Sequence, residues 1–318
     1  MFTAVVESAL RILNKAGFRV TAIGTKPRCF DIVARRGDTT LLIKVLYNAD
    51  SLKPDMASDM KLVAKLLNAS PLVIGERFKS DYLERGVVYN RYGLPVINTA
   101  TFYDFVVEGV PPMVYSAPGG YYVKLNSEKI REAREKLGMT IGTLARMLGV
   151  SRRVVKKYEE GSDTSLENAA KLEEVLGEFV IDAIDLLNFA ELEDVEKGVE
   201  KGEEVELGKS EAEIVEHLRD IGLEVYAVKH APFDVVSKVD QKVNEPILTG
   251  IRQVREIERR AEVIGKVSEV VSAKATYIVE RKVKKEVSSV VFLMKDELSC
   301  VSSPKDLVTL IREKHGEC

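Results

Sequence analysis

Apolar residues recur at two distinct spacings along this chain, and the alternation between them outlines its elements. Met56, Met60, Val63 and Leu67 fall at helical spacing, as do Ile251, Val254, Ile257, Ala261, Ile264 and Val267 much later. Residues 20–23, 30–34 and 40–46 carry the β-branched alternation of strands, with "RRGDT" as a turn between the last two. "PLVIGERF" and "GLPVINT" add two short buried strands. The order helix, strand, strand, strand, helix, strand, strand, helix predicts a mixed sheet flanked by helices.

That pattern occurs twice. "ESALRILNKAGFRVTAIGTKPRCFDIVARRG" near the start and "EAEIVEHLRDIGLEVYAVKHAPFDVVSKVD" near the end share an amphipathic helix stopped by glycine, a strand, a turn, and Phe-Asp followed by two β-branched residues. Asp31 and Asp234 stand 203 residues apart, Glu76 and Glu280 204, Val87 and Val290 203. A nearly constant separation predicts an internal duplication of one α/β domain, over residues 1–110 and 210–318.

The chain between the copies has a different texture. "PPMVYSAPGGYYVKLN" predicts a β-hairpin at 111–125 around a Gly-Gly turn. Residues 126–190 predict an all-helical domain, and the acidic, glycine-interspersed run at 191–209 predicts a solvated linker. The expected fold class is therefore α/β and all-α, multidomain, with two mixed-sheet domains flanking a helical one.

In the helical part, Asn126 or Ser127 can cap a first helix whose positions Ile130, Ala133 or Arg134, and Leu137 point inward, with Gly138 ending it. Thr140 can cap a second helix with Leu144, Ala145 and Leu148 on one face, and Gly149 supplies the left-handed turn that follows. Ser151 can cap a third, where Val154, Val155 and Tyr158 face the core and Arg152, Arg153, Lys156 and Lys157 face away; Gly161 terminates it. A fourth helix runs from Ser165 to Leu176, its apolar face made by Leu166, Ala169, Ala170, Leu172 and Leu176. Two helices joined by a tight glycine turn, with cations on the second, have the form a DNA major groove accepts.

Composition restricts what such a chain can do. The 318 residues are 45% hydrophobic and 31% charged with a net charge of −3, so any DNA-binding surface is local and built from clustered cations. Three cysteines (Cys29, Cys300, Cys318) and three histidines (His217, His230, His315) show no metal-ligand spacing, so neither a disulfide framework nor a metal site is expected, and no cofactor loop is present. No apolar run reaches the roughly 18 residues that a membrane span requires, which makes the cytoplasm the expected location and excludes a membrane partner.

"LARMLGVSRRVVKKYEEG", followed by "SLENAAKLEEVL", resembles the Cro and lambda-repressor type of helix-turn-helix, the Xre family, over about 55 residues. The resemblance implies double-stranded DNA as the partner, with Ser151, Arg152, Arg153, Lys156 and Lys157 on the recognition helix. The arginines would read base edges and the lysines and Ser151 would hold phosphates. That family begins its second helix with a phosphate-touching glutamine; Ile141 and Gly142 stand there instead, leaving Thr140 as the substitute donor. Over nearly its full length the chain resembles archaeal Cro-type transcriptional regulatory proteins, which implies a regulator. Because one short recognition helix reads few base pairs, a homodimer on half-sites about 34 Å apart is expected, acting at promoters by occluding or assisting the basal transcription machinery.

The first copy also resembles the restriction-endonuclease-like fold of archaeal Holliday-junction resolvases, whose Asp and Glu-x-Lys hold a divalent metal. Asp31 and Lys44 match, but Leu42 stands where the Glu should be, and no Glu-x-Lys strand is recognisable around "QKVNEPILTG" in the second copy. The expectation is a degenerate, non-enzymatic scaffold used for dimerisation, DNA-backbone contact or partner binding. The competing readings are a structure-selective nuclease using Asp31 and Lys44, and a protein-interaction adaptor.

Overall fold

The computed structural model describes residues 2–24, 28–188, 207–239, 245–254, 256–281, 283, 287 and 289–315. Residues 189–206, which include 191–206 of the expected acidic linker and the last two of the expected helical domain, lie outside the described residues.

Helix α1 (Phe2–Lys15) buries Val5, Ala9 and Leu13, spaced four apart, on one stripe. Strands β1 (Arg19–Ala22), β2 (Ile32–Arg36) and β3 (Thr39–Val45) form an antiparallel meander. Helix α2 (Pro54–Leu66) then crosses over to β4 (Ser70–Ile74), parallel to β3. After a small ribbon, β5 (Arg77–Phe78) and β6 (Asp81–Tyr82), come β7 (Val87–Arg91) and β8 (Leu94–Ile97), with β8 parallel to β4 and antiparallel to β7. Helix α3 (Thr99–Tyr103), capped by Asn98, runs into a π turn at Asp104–Glu108. Residues 40–45 of β3 are all buried because both faces of the sheet are covered, by α1 and α3 on one side and α2 on the other.

The helical part is joined to this sheet by backbone hydrogen bonds. β9 (Val114–Ala117) pairs in parallel with β7, and β10 (Gly120–Leu125) pairs with β9, so the predicted hairpin extends the sheet. Then follow α4 (Ser127–Lys136), α5 (Ile141–Leu148), α6 (Arg152–Tyr158), β11 (Thr164–Ser165), α7 (Leu166–Leu176) and β12 (Ile181–Asp182). β11 and β12 both pair with β10, completing a ten-stranded sheet. The chain afterwards returns to the first sheet: the Ile184 amide donates to the Pro112 carbonyl at 2.8 Å, and Ile184 and Leu186 are buried with α1.

The carboxyl-terminal part comprises α8 (Lys209–Asp220), β13 (Glu224–Ala227), β14 (Val235–Lys238), β15 (Ile247–Gly250), α9 (Ile257–Val271), β16 (Lys274–Val279), β17 (Val291–Met294), α10 (Lys295–Ser299) and α11 (Pro304–His315). Its order β13-β14-β15-β16-β17, antiparallel twice and then parallel twice, repeats the directions of β1-β2-β3-β4-β8. Two expectations change here. Ile251 and Val254 precede α9 rather than lying on it, Ile251 being buried where β15 ends and Val254 exposed. Residues 291–294, matched by sequence offset to β7, run parallel beside β16 in the place that β8 holds beside β4.

The two sheets share one hydrophobic core, in which Phe30, Leu42, Met60 and Val63 meet Phe233, Ile264 and Tyr277. Helix α9 lies against β1 and β2. The Cys29 amide donates to the His230 carbonyl, and the backbone amide and ring Nδ1 of His230 both lie 2.8 Å from Asp59 Oδ2. Arg19 pairs with Glu269 at 3.2 Å, and Arg35 donates to Ser272 at 2.7 Å.

Candidate nucleic-acid interface

The caps expected at Asn126, Thr140 and Ser151 form, and Ser165, expected as the first residue of the fourth helix, caps it instead. Asn126, Thr140, Ser151 and Ser165 each accept a hydrogen bond from the amide three residues on, at the starts of α4, α5, α6 and α7. Gly149 turns the chain between α5 and α6 at φ 70°, a conformation that a Cβ disfavours. Val155 and Tyr158 are buried and Val154 is half-buried against the module's core, which contains Ile130, Leu144, Ala145, Leu172 and Leu176. Arg152, Arg153, Lys156 and Lys157 are exposed on the remaining face of α6. The module's ion pairs use Arg134, Lys136 and Lys171, leaving these four cations unpaired among the described residues.

Both candidate hydroxyls serve as caps. Thr140 Oγ1 accepts from the Thr143 amide at 3.1 Å and lies 3.0 Å from the Thr143 hydroxyl; Ser151 Oγ accepts from the Val154 amide at 3.3 Å. Each keeps a hydroxyl at the exposed start of its helix, beside amides that helix geometry leaves without carbonyl partners.

Two contacts escape a reading of the sequence. Arg134 is buried and donates from Nε to Glu159 Oε1 at 2.5 Å, from Nη2 to Oε2 at 3.3 Å and from Nη1 to the Met139 carbonyl at 2.9 Å. The Glu159 carboxylate beside it raises the guanidinium pKa above its ordinary value. This pair fastens the carboxyl end of α6 to α4, opposite the end that carries Arg152 and Arg153. The available signal was a glutamate directly after buried Tyr158, at the close of an otherwise cationic helix. Gly142 makes the second, with the Arg152 guanidinium lying over it. Leu137, Leu166 and Ala170, expected inside, are exposed because the core closes without them.

The Asp31 position does not fit a divalent metal. Asp31 Oδ2 accepts the Val45 amide at 2.8 Å and lies 3.3 Å from Lys44 Nζ, while Arg28 Nε sits 2.5 Å from Oδ1. A guanidinium thus occupies the charge complement that a metal would supply, and Leu42, at the place of the missing carboxylate, is 0% exposed in the shared core. Asp234 is held alike: Oδ2 accepts the Ile251 amide at 2.8 Å, and Oδ1 receives Arg260 at 2.6 Å with Arg252 3.3 Å away. Asp31 donates its amide to the Ile43 carbonyl and Asp234 to the Thr249 carbonyl, so Leu248-Thr249-Gly250 stands to Asp234 as Leu42-Ile43-Lys44 stands to Asp31. Tyr277 fills the space over Gly250, where a Cβ would lie 2.5 Å from its ring, and donates its hydroxyl to the Arg252 carbonyl at 2.6 Å.

Two segments of the chain match known families. Residues 3–112 match the PD-(D/E)XK superfamily domain, and residues 130–178 match a helix-turn-helix family. A protein of Archaeoglobus fulgidus named "Putative HTH-type transcriptional regulatory protein" is 61% identical over 318 residues, all of both chains. Proteins of the same name from Methanoculleus marisnigri (36% identical, over 96% of this chain and 98% of that one) and Thermococcus gammatolerans (35%, 96% and 95%) are also similar end to end. No solved structure matches. With a capped, glycine-turned helix pair, an outward row of cations and end-to-end similarity to these archaeal proteins, the chain belongs to the HTH-type transcriptional regulatory protein family.

Proposed function

We propose that the chain is a cytoplasmic, sequence-specific regulator of transcription that binds double-stranded DNA through α6. The observation that carries this reading is the two-sidedness of α6: Val155 and Tyr158 are buried, Glu159 is tied to Arg134, and four cations without an ion-pair partner among the described residues face out. A seven-residue helix is roughly 10 Å long, and the major groove is about 12 Å wide, so α6 enters it with Arg152 and Arg153 at base edges. Lys156, Lys157 and the Ser151 and Thr140 hydroxyls hold phosphates.

One short helix reads few base pairs. The protein therefore acts as a homodimer on half-sites one helical turn, about 34 Å, apart, and meets the basal machinery at promoters. The two α/β parts, residues 1–110 and 210–318, are copies of one fold; the repeated strand directions and the like-held Asp31 and Asp234 support this. They serve as a scaffold rather than a nuclease, as Leu42, Arg28 and Gly250 favour.

Selection from a random duplex library at near-physiological salt tests the reading. The wild type enriches a palindrome that Arg152→Ala/Arg153→Ala loses. No enrichment by the wild type would instead favour an adaptor that binds protein. Light scattering that gives one 35.4 kDa chain both free and on DNA would overturn the dimer.

A further inference from the structure

Glycine inside a helix weakens it by about 1 kcal/mol relative to alanine, so a helical glycine asks for a reason. Gly142, in the first turn of α5, has an ordinary helical backbone that any residue adopts. The three atoms that a Cβ there would come nearest all belong to the Arg152 guanidinium, with Nε at 2.9 Å, Nη2 at 3.1 Å and Cζ at 3.2 Å. Arg152, the first residue of α6, thus folds back across the start of α5.

We propose that Gly142 is a specificity-determining positioning residue: its missing side chain leaves the berth that sets the direction of Arg152, and so the base pair Arg152 meets. The inference rests on the DNA-reading function above. The contacting atoms are the far end of a flexible side chain, so a Cβ at 142 displaces the guanidinium at little cost to the fold. Stability and specificity should therefore part company: Gly142→Ala gains helix propensity and yet changes recognition.

The test is library selection with wild type, Gly142→Ala, Arg152→Ala and the double variant, with thermal melts of each. Gly142→Ala should melt no lower than wild type. It should lose preference at the base pair that Arg152→Ala also relaxes, with operator affinity down about 5-fold or more, the loss of one specific contact. In the Arg152→Ala background, Gly142→Ala should change nothing further. A wild-type motif that Gly142→Ala leaves unaltered, or alters only at positions untouched by Arg152→Ala, overturns this inference alone. A wild type that enriches no motif overturns the DNA-reading function and this inference together. A lowered melting temperature that accounts for the affinity loss, with the motif unchanged, assigns Gly142 a structural role and overturns the inference as well.

Discussion

Glu159→Gln isolates the charge that anchors α6. The side chains of Arg134 and Glu159 are 11% and 8% exposed, so solvent screens their attraction little. Breaking a buried pair by removing one charge costs about 3–5 kcal/mol, because the remaining ion stays buried without compensation. Here Arg134 keeps the Met139 carbonyl at 2.9 Å and the exposed Glu135 carboxylate at 3.3 Å, and glutamine preserves the shape, which places the expected loss near 3 kcal/mol. A module of this size is stable by roughly 3–10 kcal/mol, so the loss is a large share of the whole. Native-state hydrogen exchange of the α4 to α7 amides measures it locally, which suits a chain whose parts need not unfold together. Arg134→Met/Glu159→Leu should recover most of the loss, since an apolar replacement of both partners strands no charge. A change below about 1 kcal/mol in Glu159→Gln, the value of an exposed pair, would refute the claim that this contact holds α6 in place.

The remaining predictions concern binding, chemistry and pH. Lys156→Ala and Lys157→Ala should each weaken binding to all sequences alike and reduce the salt slope of affinity by about 1, measured by titration at several ionic strengths; an unchanged slope removes that lysine from the phosphate contacts. Leu42→Glu should destabilise the chain by several kcal/mol, on the order of the cost of burying an unpaired carboxylate, and should not create magnesium-dependent cleavage; cleavage of branched DNA by the wild type, abolished in Asp31→Ala, would contradict the scaffold reading. Burial pushes the Tyr277 phenol up to about 12. The folded state therefore keeps a proton that the unfolded chain releases near pH 10, and stability present below pH 10 falls by roughly 2–3 kcal/mol as pH rises to about 12. Urea midpoints across that window should fall less steeply in Tyr277→Phe, and an identical slope would exclude Tyr277 as the cause.

Local chemistry made the helix-turn-helix legible and long-range packing hid the rest. The caps Asn126, Thr140, Ser151 and Ser165 and the turn at Gly149 are short-range hydrogen bonds and backbone preferences, and all are in place. Leu137, Leu166 and Ala170 sit at apolar-periodic positions, yet periodicity reports a face and not whether another element covers it. Ile251 and Val254 share the helical spacing of α9 by accident of where β15 stops. No Glu-x-Lys strand was readable around "QKVNEPILTG" because β15 carries Leu248 and Gly250, with Tyr277 on the neighbouring strand filling the space over Gly250. Arg134 and Glu159 stand 25 positions apart, and only the folded module joins them.

The arrangement of sheets also constrains how a regulator of this kind is built. Dimerisation was one of three roles expected of the α/β parts, beside DNA-backbone contact and partner binding. In this chain, however, α9 packs on β1 and β2, and the pairs His230 with Asp59 and Arg19 with Glu269 join the two parts within one molecule. The surface that each part turns toward the other is thereby occupied in cis, and the proposed second copy has to dock elsewhere. The helical module is not a tethered reading head either. β9 is hydrogen-bonded to β7, β10 carries β11 and β12, and residues 184–187 return to the core of the first sheet, with Ser70 donating to the Leu187 carbonyl at 2.8 Å. Three such connections fix the direction of α6 relative to the α/β parts, whereas a flexible linker would let it sample many. Half-site spacing in the selected DNA then reports the geometry of the whole chain, and variants that loosen the β7–β9 pairing should broaden the accepted spacing before they abolish binding to a single half-site.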